Sequence, residues 1–221
     1  MGRIPIYNTF AVFATGRGFD MLRVSVAYTK ANVKIVGHAA GLSLGYAGPT
    51  HHALEDLAIM RSLPDVVVLN PADGIECRQM MRWMVGHDGP VYLRLSRAAV
   101  PDVHAPGWSF RCGVPEVLAE GDDVVLFSTG DVCLLALQAR ERLRESGVSA
   151  RVVNLSCLKP LPAEPILGLT TGGRGAVTIE DHSIVGGLGS ALAEIFAESG
   201  GPPLRRIGVR DRFTESDECG V

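Results

Sequence analysis

Several side chains in this sequence are of types that do chemistry. His51 and His52 stand together in Gly48-Pro-Thr-His-His-Ala-Leu-Glu-Asp-Leu-Ala-Ile-Met-Arg61. Imidazoles beside a helix start can move protons, bind a metal or serve as plain polar residues. A metal would need a third ligand, and Glu55 and Asp56 are the nearby carboxylates. Glu180-Asp181-His182 suits acid–base work at a strand end, or else forms a solvated turn or an interface. Arg97 closes an apolar run, where a guanidinium either forks onto a phosphate or carboxylate or caps a sheet edge. Phe10 and Phe13 are spaced to flank one apolar slot for a flat heteroaromatic ring, or to lie in a core. Gly186-Gly-Leu-Gly189 precedes a helical pattern, as a tight turn or a phosphate cradle. It departs from G-x-G-x-x-G, and no acidic residue follows a second strand at the usual distance, which favours the turn. Residue type alone leaves these alternatives open.

Elements must position these groups. Apolar runs at 4–7, 32–36, 66–69 and 89–96 read as strands and alternate with helical patterns. One helix spans about 19–27, after a Gly-rich turn at 14–18. A second is expected to start at Thr50, whose hydroxyl can cap the first N–H groups, and to stop at Pro64. A third starts at Asp73, with Ile75, Cys77, Met80, Met81, Met84 and Val85 near period 3.6. Between strand and second helix, residues 37–48 form a small-residue loop through which backbone can approach a ligand. Residues 98–112 carry prolines and no periodicity, as a linker does. Beyond them strands at 123–128, 148–155, 175–180 and 204–209 alternate with helices at 132–146, about 163–169 and about 190–199. The prediction is an α/β protein of two successive parallel-sheet βαβ domains, residues 1–110 and 111–221.

Composition narrows the function classes. The 221 residues are 47% apolar, so a core can form without disulfides or metals. Net charge is −3 with no basic run, which argues against nucleic acid and anionic membrane. Cys77, Cys112, Cys133, Cys157 and Cys219 form no C-x-x-C pair and read as reduced thiols of a cytoplasmic protein. No signal peptide stands at the start, and no apolar run reaches the roughly 18 residues of a membrane span.

Taken together and in order, several stretches resemble the transketolase family, in particular the carboxyl-terminal half of its split, two-subunit forms. They are Ile4-Pro-Ile-Tyr-Asn-Thr-Phe-Ala-Val-Phe-Ala-Thr-Gly-Arg17, the Gly48–Arg61 stretch, Asn70-Pro-Ala-Asp73 and Gly89-Pro-Val-Tyr-Leu-Arg-Leu-Ser-Arg97. Leu158-Lys-Pro-Leu161, Glu180-Asp-His-Ser-Ile-Val-Gly-Gly-Leu-Gly189 and Gly208-Val-Arg-Asp-Arg-Phe213 complete the set. The resemblance implies a pyrimidine-binding domain lacking its first strands, followed by a transketolase C-terminal domain. It implies thiamine diphosphate, its aminopyrimidine ring against Phe10 and Phe13, its diphosphate and Mg²⁺ held by an N-terminal partner subunit. His51 matches a histidine at the reacting part of the substrate. Arg97 matches an arginine that grips a sugar phosphate. The expected activity is transfer of a two-carbon ketol unit between sugar phosphates or related substrates, by a homodimer or heterotetramer.

Three departures qualify that expectation. The family's activating glutamate belongs to an upstream Gly-Ile-Ala-Glu-Gln-like stretch that this sequence lacks, to be supplied by a longer reading frame or another chain. Loss of such an acid–base group slows proton removal by about 10²–10⁴-fold. A substrate-binding histidine aligns with Ala39, leaving neighbouring His38 as the candidate. A hydroxyl-binding aspartate aligns with Ala47, beside Tyr46. The pattern points to a specialised substrate. The rivals are a non-catalytic, partner-binding remnant, and a deoxyxylulose-phosphate synthase-like or 2-oxo-acid dehydrogenase β-like component.

Overall fold

A computed structural model describes residues 2–217, so Cys219 lies outside the described residues. Two five-stranded sheets carry the fold. The first is built from β1 (Ile6–Phe10), β2 (Lys34–His38), β3 (Val67–Leu69), β4 (Val91–Arg94) and β8 (Cys157–Lys159), in the order β1-β2-β4-β3-β8. The second joins β5 (Glu116–Ala119), β6 (Val124–Ser128), β7 (Ala150–Asn154), β9 (Ala176–Ser183) and β10 (Leu204–Val209), in the order β10-β9-β6-β7-β5. Val-, Ile- and Leu-rich central strands buried on both faces, with the more exposed β1 and β10 at the edges, give the parallel pairs β1/β2, β2/β4 and β3/β4, then β10/β9, β9/β6 and β6/β7. The α/β reading therefore holds. Each sheet adds one antiparallel edge strand unforeseen in the sequence: β8 on β3, and β5 on β7.

The strand β8 follows β7 of the second sheet yet completes the first, pairing Leu69 with Cys157 and Val68 with Lys159. One apolar cluster accordingly runs through both units, from Ile35, Leu57 and Val68 to Val125, Phe127 and Leu188. Lys159 Nζ donates to the carbonyls of Arg61 (3.0 Å) and Leu63 at the end of α2 (Asp56–Ser62), where an ammonium satisfies orphan carbonyls and favours the dipole.

Two local expectations fail. The Gly-rich stretch at 14–18 is helical: π turns at Phe13–Arg17 and Leu22–Ala27 flank α1 (Phe19–Met21). Burial of Ala14 and Thr15 and the bond from Thr15 Oγ1 to the Ala11 carbonyl (2.8 Å) outweigh glycine's weak helix propensity. Thr50 caps no helix. Its hydroxyl contacts the Ala47 carbonyl (3.3 Å) and His51 Nδ1 (2.9 Å), at the end of a 3₁₀ segment, Gly45–Thr50. Ala53 then bridges Ala40 in extended form, and α2 starts only at Asp56. Asp73 behaves as read, accepting from the Glu76 N–H (2.7 Å) at the start of α3 (Gly74–Gly86). The remaining helices are α4 (Cys133–Glu145), α5 (Ala163–Thr170) and α6 (Leu188–Ser199).

Candidate active site

Parallel strands end together, and here the ends of β1 and β2 bring four rings into one corner. Phe10 closes β1 and His38 closes β2, directly opposite in register, with centroids 4.6 Å apart. Phe13 lies one helical turn on from Phe10, edge to face at 5.9 Å and 69°. His51 comes from the loop ahead of α2 and meets both, 5.6 Å from Phe10 and 5.3 Å from Phe13. All four residues are half-buried. The phenylalanines therefore form a corner rather than a parallel-walled slot, so a flat ring would lie on one face and touch the other edge. The exposed Arg17 guanidinium sits 4.6 Å over the Phe13 ring.

The two adjacent histidines have parted. His52 is buried, with Nδ1 on Thr214 Oγ1 (2.6 Å) and Nε2 on the Leu44 carbonyl (3.2 Å). It ties the 44–52 loop to the chain's 210–217 segment. The loop reaches this position through Gly48, at φ +67°, where a Cβ would run into Ser216 Oγ. His51 keeps its ring at the corner. Arg97 lies just past β4, exposed, with its backbone N–H on Ser43 Oγ (2.7 Å). That bond attaches it to the small-residue loop after β2, at the same sheet edge.

Behind the corner lies a buried charged network that local sequence reading could not find. Asp56 accepts from Arg94 Nε (3.0 Å) and the Tyr92 hydroxyl (2.7 Å). Arg94 Nη2 donates to the Ala53 carbonyl (3.3 Å) and, across the units, to the Asp181 carbonyl (2.7 Å). The Asp181 carboxylate accepts from Leu42 N–H (3.0 Å), so the second sheet pins the loop after β2. Burial pushes the Asp181 carboxyl up to about 6, against the pull of Arg94. Burial also drives His182 down to about 4, so it is neutral there. Glu180-Asp181-His182 is thus an interface between the units.

The Gly186–Gly189 stretch is also resolved by its contacts. Leu188 N–H and Gly189 N–H at the start of α6 donate to the Glu180 carboxylate (2.7 and 2.9 Å). The chain's own side chain fills the place where a phosphate would sit. Burial raises the Glu180 carboxyl to about 7 despite those bonds.

A second cluster joins the connecting segment to both units. His104 Nδ1 meets Asp73 Oδ2 (2.8 Å) and Nε2 meets Glu116 Oε2 (2.7 Å). Burial opposes the charge, but those two carboxylates hold the imidazole protonated up to about 9. Glu76, His104 and Glu116 place ligand-type atoms within 4.8 Å of one another. With both ring nitrogens on carboxylates, the arrangement in this structure is that of a buried salt bridge. No sequence signal singled out His104, which sits in the aperiodic linker.

The two α/β units, with the aromatic corner at the C-terminal edge of the first sheet, each match a family model. Residues 1–103 match the transketolase pyrimidine-binding domain and residues 113–218 the transketolase C-terminal domain. The 6-deoxy-6-sulfo-D-fructose transketolase subunit of Clostridium sp. is 40% identical, covering 97% of this chain and 67% of that protein. An apulose-4-phosphate transketolase component of Phocaeicola vulgatus is 36% identical over 91% of this chain and 64% of its own length. A 1-deoxy-D-xylulose-5-phosphate synthase of Geobacter sulfurreducens is 35% identical over 95% of this chain and 33% of that one. Among solved structures, a split-gene transketolase described as an inactive β4 tetramer superposes with TM-score 0.88 at 42% identity, covering 95% of this chain and 68% of that chain. The chain belongs to the transketolase family, and it spans about two thirds of the length of the split-subunit relatives.

Proposed function

We propose that this chain is the C-terminal component of a two-subunit, thiamine-diphosphate-dependent transketolase that moves a two-carbon ketol unit from a ketose donor to an aldehyde. The observation that carries the reading is a division of labour. The corner of Phe10, Phe13, His38 and His51 suits a flat heteroaromatic ring, whereas the Gly-rich helix start, the place for a diphosphate, is filled by Glu180. The diphosphate and its Mg²⁺ then fall to an N-terminal partner subunit. When bound, the cofactor supplies the carbon nucleophile that takes up the ketol unit.

This chain's residues would bind and orient. Phe10 and Phe13 hold the pyrimidine ring. His51 has Nδ1 engaged by Thr50 Oγ1, leaving Nε2 to hold or move a proton at a substrate hydroxyl. His38 flanks Phe10 on the donor side. Arg97 takes the anionic end of the substrate, and the sulfo-sugar and sugar-phosphate transketolases among its relatives favour a phosphate or sulfonate there. No helix among the described residues is long and apolar enough to cross a membrane.

The test mixes this chain with the diphosphate-binding subunit from the same genome. Cofactor binding is followed by calorimetry and ketol transfer by aldehyde consumption. Phe10→Ala and Phe13→Ala should each weaken cofactor binding about threefold to tenfold, the scale of a lost aromatic contact. Unchanged affinity in both variants, or no binding and no turnover in the mixture, overturns the proposal. The inactive tetramer named for a structural relative supports one alternative, in which this chain alone assembles without activity. Pyruvate in place of a ketose phosphate as donor would instead identify a deoxyxylulose-phosphate synthase-like component.

A further inference from the structure

Cys112 and Cys157 are 45 positions apart in sequence, and their Sγ atoms are 3.6 Å apart. Cys112 ends the connecting segment, half-buried. Cys157 opens β8, buried, with its thiol also 3.3 Å from the Pro160 carbonyl. The pair borders the apolar cluster of Leu69, Met80, Leu93 and Phe110. Cys112 is the only partly buried member of the pair, so a small solute reaches the pair from its side.

We propose that Cys112 and Cys157 form a redox-modification site that a small peroxide converts reversibly to a disulfide. Cys112 is the thiol that reacts first: it is the more exposed, and hydrogen bonding from Cys157 holds it below the ordinary thiol range against the effect of burial. Cys157 is held above that range by the same contact and by burial. In the first step the Cys112 thiolate attacks one peroxide oxygen and the O–O bond breaks. Cys112 becomes a sulfenic acid, and the leaving oxygen takes a proton to depart as water or an alcohol. In the second step Cys157 sulfur attacks Cys112 sulfur and the S–O bond breaks. A disulfide forms, and the hydroxide leaves as water with the Cys157 proton. Two thiols are oxidised by two electrons, and one peroxide is reduced.

Forming a disulfide of roughly 2.05 Å from 3.6 Å requires the two sulfurs to approach by about 1.5 Å. The bond would fasten the connecting segment to the strand through which the second unit completes the first sheet. Oxidation should therefore raise the melting temperature, and a dithiol reductant should return it.

The reduced chain is treated with stoichiometric hydrogen peroxide, blocked with an alkylating agent and digested. The expected result is loss of two hydrogens from the intact mass and a Cys112–Cys157 cross-linked peptide, in the wild type and in Cys77→Ser. Cys112→Ser and Cys157→Ser should give neither. The wild-type peptide map stands even if either serine variant folds poorly. Oxygen addition at Cys112 without a cross-link, or a cross-link through Cys77, Cys133 or Cys219 instead, overturns the proposal.

Discussion

Replacing Asp56 should destabilise the chain more than any change at the ring corner. The Asp56 and Arg94 side chains are 0% and 2% exposed, and they meet at 3.0 Å. Removing one partner of such a pair leaves the other charge buried and uncompensated, which costs about 3–5 kcal/mol. In Asp56→Ala the Tyr92 hydroxyl also loses its acceptor, so the value should fall at the upper end. Asp56→Asn keeps an acceptor for Tyr92 and should cost less. Arg94→Met strands the carboxylate and frees the Ala53 and Asp181 carbonyls, at a comparable cost. These are large fractions of a total of about 5–15 kcal/mol. The Asp56→Ala/Arg94→Met double variant has no stranded charge and should be more stable than the sum of the singles by roughly 2 kcal/mol or more. Urea unfolding followed by circular dichroism measures the wild type and all four variants. Single losses below about 1 kcal/mol, or strict additivity, would refute the idea that this pair is desolvated and coupled.

Two further outcomes follow from other contacts. The folded-state pKa of His104 is raised to about 9, so its contribution is complete below the unfolded value of 6.5 and is lost as pH rises through 9. Unfolding free energy should fall between those values, and His104→Asn should flatten the slope; an unchanged slope would sink the assignment. Gly48→Ala places a Cβ at φ +67° and ψ −163°, a region essentially confined to glycine, and against Ser216, costing about 1–3 kcal/mol of backbone strain before any clash. Faster limited proteolysis near residue 214 is the expected readout, and unaltered cleavage would contradict it.

The sequence carried what is locally periodic. Buried runs such as Val124–Ser128 and the spacing of Met80 and Met84 in α3 mark strand and helix whatever they pack against. The end of β1 and the turn after it put Phe10 and Phe13 within reach of each other, so their proximity was legible, although their edge-to-face angle was not. Three-residue β8 has no period to detect and exists because β3 offers an unpaired edge. The Asp56–Arg94 pair spans 38 positions, and nothing near either residue marks it. The helix expected at Thr50 is displaced because tertiary contacts hold the His52 ring and draw Ala53 into a bridge with Ala40.

The position of β8 restricts how this fold can be recombined. A crossover placed in the connecting segment would bring a foreign C-terminal unit whose strand must fit the native β3, and whose lysine must reach the native α2. Chimeras between relatives should therefore succeed or fail on that one seam, and the ring corner at β1 and β2 cannot be exchanged independently of it.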